Sequence, residues 1–181
     1  DEVLATMRFA DVTRLLDVGG GHGAFLRAIG TAWPHLSLGL FDLPEVAEAG
    51  GGLLSAALGA SRVAAHRGNF FSDSIPQGYD MVSLVRILHD HDDGPAAALL
   101  ANIRNSLAPG ARLLIAEPMA RIPGAQPMGE AFFGLYLWAM GSGRPRSPAE
   151  IVAMCRAAGF SRARFIPTAQ PVNASIVLAT V

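Results

Sequence analysis

A chain of 181 residues can bury one full core, and a formal net charge of −1 gives no electrostatic footprint for nucleic acid or an anionic membrane surface. All fourteen basic residues are arginine, which removes Schiff-base and Walker-A lysine chemistry. The single cysteine, Cys155, excludes an internal disulfide and fits a reducing, cytoplasmic compartment, while the longest apolar stretch (residues 131–141) is about half of what a membrane span needs.

The acidic start, Asp1-Glu2-Val3, does not read as a signal peptide. Arg14–Val18 reads as a strand whose buried end, Leu15-Leu16-Asp17-Val18, runs into glycines at 19, 21 and 23. These allow a tight turn into a helix over residues 24–31, so that a cofactor can lie against bare backbone near a helix N-terminus. Two patterns fit the loop. Gly19-x-Gly21-x-x-Ala24 satisfies the dinucleotide fingerprint, whereas Asp17 to Gly23, acidic-x-Gly-x-Gly-x-Gly, resembles motif I of class I S-adenosylmethionine (SAM) methyltransferases.

A second strand covers residues 36–41 and ends at Asp42. Pro44 opens a helix toward Leu58, with a glycine interruption expected at Gly50-Gly51-Gly52. Strands over 62–66 and 79–85 follow, then a helix over 96–107 and a strand over 111–116 that ends at Glu117. Helices over 129–140 and 148–158 precede two final strands, 162–167 and 174–181. The β/α alternation predicts an α/β, Rossmann-like fold with a mostly parallel seven-stranded sheet and helices on both faces. The last two strands, joined by a short loop, must form a C-terminal antiparallel hairpin. That hairpin favours the methyltransferase variant of the architecture over a plain dinucleotide domain.

Open α/β sheets bind ligands outside the carboxyl ends of their strands, which here present Asp17, Asp42, Asn69, His89 and Glu117. Asp42, about twenty residues beyond the glycine loop, suits the hydroxyls of a ribose, although an Asp before Pro44-Glu45 also suits a helix N-cap. In Gly68-Asn69-Phe70-Phe71 a carboxamide stands beside aromatic rings, a pairing suited to adenine or, read structurally, a turn with two core phenylalanines. His89 follows the fourth strand in Ile87-Leu88-His89-Asp90-His91-Asp92-Asp93. A histidine there can take a hydroxyl proton, with Glu117 at the next strand end to orient the imidazole. No spacing among His89, His91 and Asp92 is diagnostic of a metal, and none is expected.

These segments, together with Phe41-Asp42-Leu43-Pro44 and Gly143-Arg144-x-Arg146-Ser147, resemble the catalytic domain of the plant-caffeate-type O-methyltransferase family and its bacterial relatives. The resemblance covers essentially the whole chain, residues 1–181, as a SAM-binding catalytic domain. It implies His89 as general base, Asp90 as a substrate-side hydrogen-bonding residue and Glu117 as a carboxylate flanking the histidine. Around SAM it implies Asp17, Gly19, Gly21, Gly23, Asp42, Leu43, Asn69, Phe70 and Arg86. Aspartate is usual where Asn69 stands, lysine is common where Arg86 stands, and Pro145 occupies the place of a second flanking carboxylate. Such enzymes also carry an N-terminal helical domain that dimerises and closes over the substrate. That domain is not in this sequence, and a homodimer is the expected full-length form.

The segment around residues 128–140 is apolar over nearly its whole circumference, so core packing on one face leaves another for something else. Met119, Met128, Phe132, Phe133, Tyr136 and Met140 are expected to wall an apolar substrate pocket. With residues 141–147, this segment resembles the bacterial carotenoid hydroxyl O-methyltransferases of demethylspheroidene type. The implied reaction is methyl transfer from SAM to a hydroxyl of a hydrophobic small molecule. Carbon methylation of a tetrapyrrole, an NAD-binding oxidoreductase domain and a SAM-fold domain that binds without turnover stand as alternatives.

Overall fold

The computed structural model describes residues 1–125, 131 and 133–181. A short helix without a clear signal in the sequence, α1 (Glu2–Thr6), leads into β1 (Arg14–Val18). Then follow α2 (Ala24–Ala32), β2 (Ser37–Asp42), α3 (Pro44–Leu58), β3 (Val63–Arg67), β4 (Met81–Val85) and α4 (Asp93–Ser106). The chain continues through β5 (Arg112–Glu117), α5 (Phe133–Met140), α6 (Pro148–Ala157), β6 (Arg162–Ile166) and β7 (Ser175–Thr180). Residues 129, 130 and 132 of the expected 129–140 helix lie outside the described residues, as do Met128 and Phe132 of the expected pocket.

Among the described residues the strands form one seven-stranded sheet in the order β3-β2-β1-β4-β5-β7-β6. Every neighbouring pair is parallel up to β5, and β7 then inserts antiparallel between β5 and β6. The expected α/β class and C-terminal hairpin are therefore present. The chain winds outward from β1 through β2 to β3, then returns to β4 on the other side of β1. That reversal is the topological switch point, where a crevice opens beyond the strand ends.

Side chains alternate across the strands and divide the core into two layers. Leu16, Val18, Leu84, Leu113 and Ile115 pack with Leu99 and Ile103 of α4 and with Ile151 and Cys155 of α6. Leu15, Leu38, Met81 and Leu114 face the opposite way, toward Val3 of α1, Leu26 and Ile29 of α2 and Leu54 of α3. Both faces are covered, so the central strands carry continuous apolar runs.

Most boundaries differ from expectation by one to three residues, the widest difference among the described residues being at α4, which starts at Asp93 rather than residue 96. The fourth strand begins at Met81 rather than residue 79 because the Asp80 carboxylate accepts the backbone N–H groups of Thr13 (2.7 Å) and Arg14 (2.8 Å), fixing the entry to β1. The glycine run 50–52 does not interrupt α3, which is continuous from Pro44 to Leu58. A Cβ on Gly50 would lie 2.4 Å from the Gly21 carbonyl oxygen, so that glycine lets the helix press against the glycine loop. No described helix is long and apolar enough to cross a membrane.

Candidate active site

The loop from β1 to α2 follows from its glycines: Gly19 has φ +72° and Gly23, at the N-cap of α2, has φ +78°. The Gly19 N–H donates to the Phe41 carbonyl of β2 at 2.8 Å, and the Gly21 N–H donates to Asp42 Oδ2 at 2.8 Å. Asp42 Oδ1 accepts the Leu43 N–H at 2.8 Å. Each carboxylate oxygen is thus aimed by a backbone amide and retains capacity for a further donor.

Beside this loop lies a cavity of about 340 Å³ bounded by Gly19, Asp42, Leu43, Gly68, Asn69, Phe70, Phe71 and Ile87. It brings five of the nine expected cofactor residues together, and Gly21 reaches it through Asp42. Asn69 Oδ1 accepts the Phe71 N–H at 2.9 Å and its own N–H donates to Asp73 Oδ2 at 2.8 Å, an Asx-type turn that shapes the wall. Phe70 and Phe71 pack edge-on against each other and against His91, tying this wall to the turn after β4. Burial lowers the His91 pKa, with the Asp90 charge opposing that shift.

Arg86, another expected cofactor residue, stands in the left-handed region at φ +59°. It lines a second cavity of about 440 Å³ with Ala24, Phe25, Val85 and Ala116, so consecutive residues Arg86 and Ile87 face separate cavities. Its guanidinium lies 5.5 Å from the Phe133 ring centroid. Asp17 is placed differently from its expected role. It is 1% exposed, beneath the glycine loop, and accepts the Ser83 hydroxyl at 2.6 Å. Burial pushes its carboxyl up to about 7, with the Ser83 hydrogen bond opposing and the Asp42 charge adding.

His89 sits on the 3-10 turn Leu88–Asp90 directly after β4, its side chain almost fully enclosed. Nδ1 lies 3.5 Å from Glu117 Oε2, close enough for an ion pair but not aligned as a hydrogen bond, and Nε2 lies 3.2 Å from Asp90 Oδ1. Glu117, at the end of β5, has 0% exposure, and burial raises its pKa against the opposing influence of His89. Oε1 of Glu117 has no hydrogen-bond partner among the described residues.

The expected substrate wall is divided. Phe133 is buried with its ring centroid 6.0 Å from that of His89, whereas Tyr136 and Met140 are exposed on α5. Met119 is enclosed in the core and offers a ligand no surface. Among the described residues no group of three or more His, Cys, Asp or Glu side chains is arranged to hold a metal.

Ile87 and Asn102 also shape the cavity beside the glycine loop, and the sequence alone singles out neither. Asn102 Nδ2 donates to the carbonyls of Phe70 (2.9 Å) and Asp73 (2.8 Å), bracing the cavity wall from α4. A carboxamide inside the otherwise apolar run 96–103 of α4 was the available signal.

Residues 1–161 match the O-methyltransferase domain family. The demethylspheroidene O-methyltransferase of Cereibacter sphaeroides is 43% identical over 181 residues, covering 99% of this chain and 47% of that protein. The enzyme of the same name from Rhodobacter capsulatus is 41% identical, covering 98% and 44%. The chain therefore spans about half the length of the curated relatives it matches. Among solved structures, the mitomycin 7-O-methyltransferase MmcR aligns with a TM-score of 0.87 at 28% identity, over 99% of this chain and 52% of that one. Human N-acetylserotonin methyltransferase in complex with SAM aligns with a TM-score of 0.86 at 26% identity, over 99% and 50%. A match running from α1 to the threshold of β6 makes the chain a member of the O-methyltransferase domain family, whose cofactor is SAM.

Proposed function

We propose that this chain is the catalytic domain of an O-methyltransferase acting on a hydroxyl of a hydrophobic small molecule, a hydroxylated carotenoid, with His89 as general base. The observation that carries the reading is that His89, backed by Glu117, stands at the same strand-end edge as the cavity formed by Gly19, Asp42 and Asn69. The residues fit the cofactor. Asp42 is oriented to accept ribose hydroxyls, Leu43, Phe70 and Ile87 give the apolar walls an adenine needs, and the bare backbone at Gly19 permits close approach. Arg86 and residues 21–23 continue the same binding edge, while Asp17 supports the loop from below. When bound, SAM supplies a methyl group already activated on a sulfonium centre.

His89 takes the acceptor proton at Nε2, and Glu117 behind Nδ1 stabilises the imidazolium that forms. Asp90 shares Nε2 in this arrangement and is part-exposed, so it turns to the acceptor hydroxyl as the substrate enters. An aliphatic hydroxyl is a far weaker acid than imidazolium, so its proton leaves only as the new bond to oxygen forms. The carotenoid assignment rests on the two demethylspheroidene O-methyltransferases and on the apolar character of α5. Phe133 walls the acceptor, with Tyr136 and Met140 of α5 extending that wall.

Calorimetric titration with S-adenosylhomocysteine beside NAD tests the class. Binding of the homocysteine nucleoside alone is expected, and binding of NAD alone would overturn the reading. With the full-length protein and demethylspheroidene, His89→Ala is expected to cost about 10²- to 10⁴-fold in kcat with cofactor affinity kept. Undiminished turnover would remove His89 from the chemistry.

A further inference from the structure

We propose that Arg146 is a positioning residue that sets the His89 imidazole against Glu117 by clamping both ends of the turn carrying the histidine. The catalytic consequence rests on the reading of His89 as base, but the clamp itself stands on geometry alone. Arg146 has 0% exposure and is the largest fully buried side chain among the described residues. A guanidinium taken wholly out of water is costly unless its donors are satisfied, so its partners show what it holds.

Nη1 donates to the Leu88 carbonyl at 2.8 Å, and Nη2 donates to the His91 carbonyl at 2.7 Å. Those two carbonyls bracket His89 and Asp90. Asp93 Oδ1 accepts from Nε at 3.0 Å and Nη2 at 2.8 Å, anchoring the fork to the first turn of α4. The main chain of Arg146 reaches the other partner. Its carbonyl accepts the Ala120 N–H at 2.9 Å, just beyond the end of β5 that carries Glu117. One residue therefore binds the segment bearing the imidazole and the segment bearing its carboxylate.

The neighbouring loop is fitted to the same turn. A Cβ on Gly143 would lie 2.2 Å from the His89 carbonyl oxygen, and the Gly143 N–H donates to Asp92 Oδ1 at 2.9 Å. Lysine cannot reproduce the arrangement, because a single ammonium lacks the planar fork that meets two carbonyls and a carboxylate at once.

The test uses the chain labelled with ¹⁵N at its histidines, without ligand, and the variants Arg146→Lys and Asp93→Asn. Asp93 is exposed, so the asparagine variant weakens the clamp without opening the core and decides the question even where Arg146→Lys fails to fold. The expected result is displaced ring ¹⁵N resonances for His89, while His22, His35 and His66 keep theirs. In the full-length protein, kcat with demethylspheroidene falls by about 100-fold for Arg146→Lys at unchanged KM for SAM, the scale of loss that an ångström of misplacement brings. A His89 ring unmoved in Asp93→Asn overturns the clamp whatever the activity. A moved ring with undiminished methyl transfer keeps the clamp and takes the base role from His89.

Discussion

Glu117 holds His89 twice with one oxygen: Oε2 lies 3.5 Å from the ring Nδ1 and accepts the His89 backbone N–H at 3.1 Å. The backbone bond fixes where the residue sits, and the ring contact fixes which nitrogen faces outward. Burial raises the Glu117 pKa, so its charge is costly until a proton arrives on the imidazole opposite.

The two contacts separate in Glu117→Gln. The carboxamide oxygen still accepts the His89 N–H, whereas the charge that stabilises imidazolium is gone. We expect kcat to fall by about 10- to 10³-fold, less than the loss expected of His89→Ala, with unchanged affinity for S-adenosylhomocysteine. Stopped turnover assays with the full-length protein read the first quantity and calorimetry the second. A variant as fast as the parent would leave Glu117 with a purely structural task.

Asp42 invites a parallel dissection. Both of its oxygens already accept a backbone N–H, from Gly21 and Leu43, at 2.8 Å each. In Asp42→Asn one of those amides meets an NH₂ group instead of an acceptor, and a ribose hydroxyl loses its charged partner. A charge-assisted bond of about 1.5–3 kcal/mol corresponds to roughly 10- to 100-fold weaker binding of S-adenosylhomocysteine. Equal affinity in a calorimetric titration would place the ribose elsewhere.

Much of this site is legible along the chain because it depends on strand ends. A buried parallel strand announces itself as an apolar run, and the first polar residue after it stands at the ligand edge. Asp42 and Glu117 follow that rule at the last positions of β2 and β5, whereas after β4 the first polar residue is Arg86 and His89 comes three residues later. Asp17 departs from it because it lies inside β1, on the same face as Leu15, and alternation sends it down toward Ser83. Gly50 reads locally as a helix breaker, yet its reason is the glycine loop 29 positions earlier that it packs against. Asn102 shows in the sequence only as a carboxamide in an apolar run, and Arg146 only as one position of the segment 143–147, neither with its task. Their partners are carbonyl groups 32 and 58 residues away, and a carbonyl leaves no mark on residue identity.

The burial of Asp17 sets a pH dependence of stability. Its carboxyl titrates at about 7 in the folded chain, above the 3.8 of an aspartate in water. Between those values the folded chain retains a proton that the unfolded chain has released, so stability contributed by this group falls as pH rises through that window. Asp17→Asn removes the titration while keeping a partner for the Ser83 hydroxyl. Melting measured at pH 5 and pH 8 should show the variant gaining on the parent at the higher pH. The gain should be roughly 2–3 kcal/mol, at about 1.4 kcal/mol for each pH step between 5 and the folded pKa. A constant difference between the two pH values would contradict the buried, proton-holding carboxyl.

Gly19 joins backbone conformation to the cavity beside the glycine loop. Its φ of +72° costs a side-chain residue roughly 1–2 kcal/mol, and a Cβ there would also come 2.6 Å from Ile87 Cδ1, a wall of the cavity. Gly110 has φ +85° with nothing within 4 Å of an added Cβ, far from the site in the turn before β5. Gly19→Ala and Gly110→Ala should therefore share the conformational penalty and differ in the displacement of Ile87. The expected pattern is a comparable loss of thermal stability in both, but weakened S-adenosylhomocysteine binding in Gly19→Ala alone. Adding Ile87→Val to Gly19→Ala shortens the side chain at the clash and should return part of that affinity without returning the stability lost to backbone strain, a coupling expected of residues in contact. Equal binding by all the variants would mean that the wall formed by Ile87 is not where the cofactor lies.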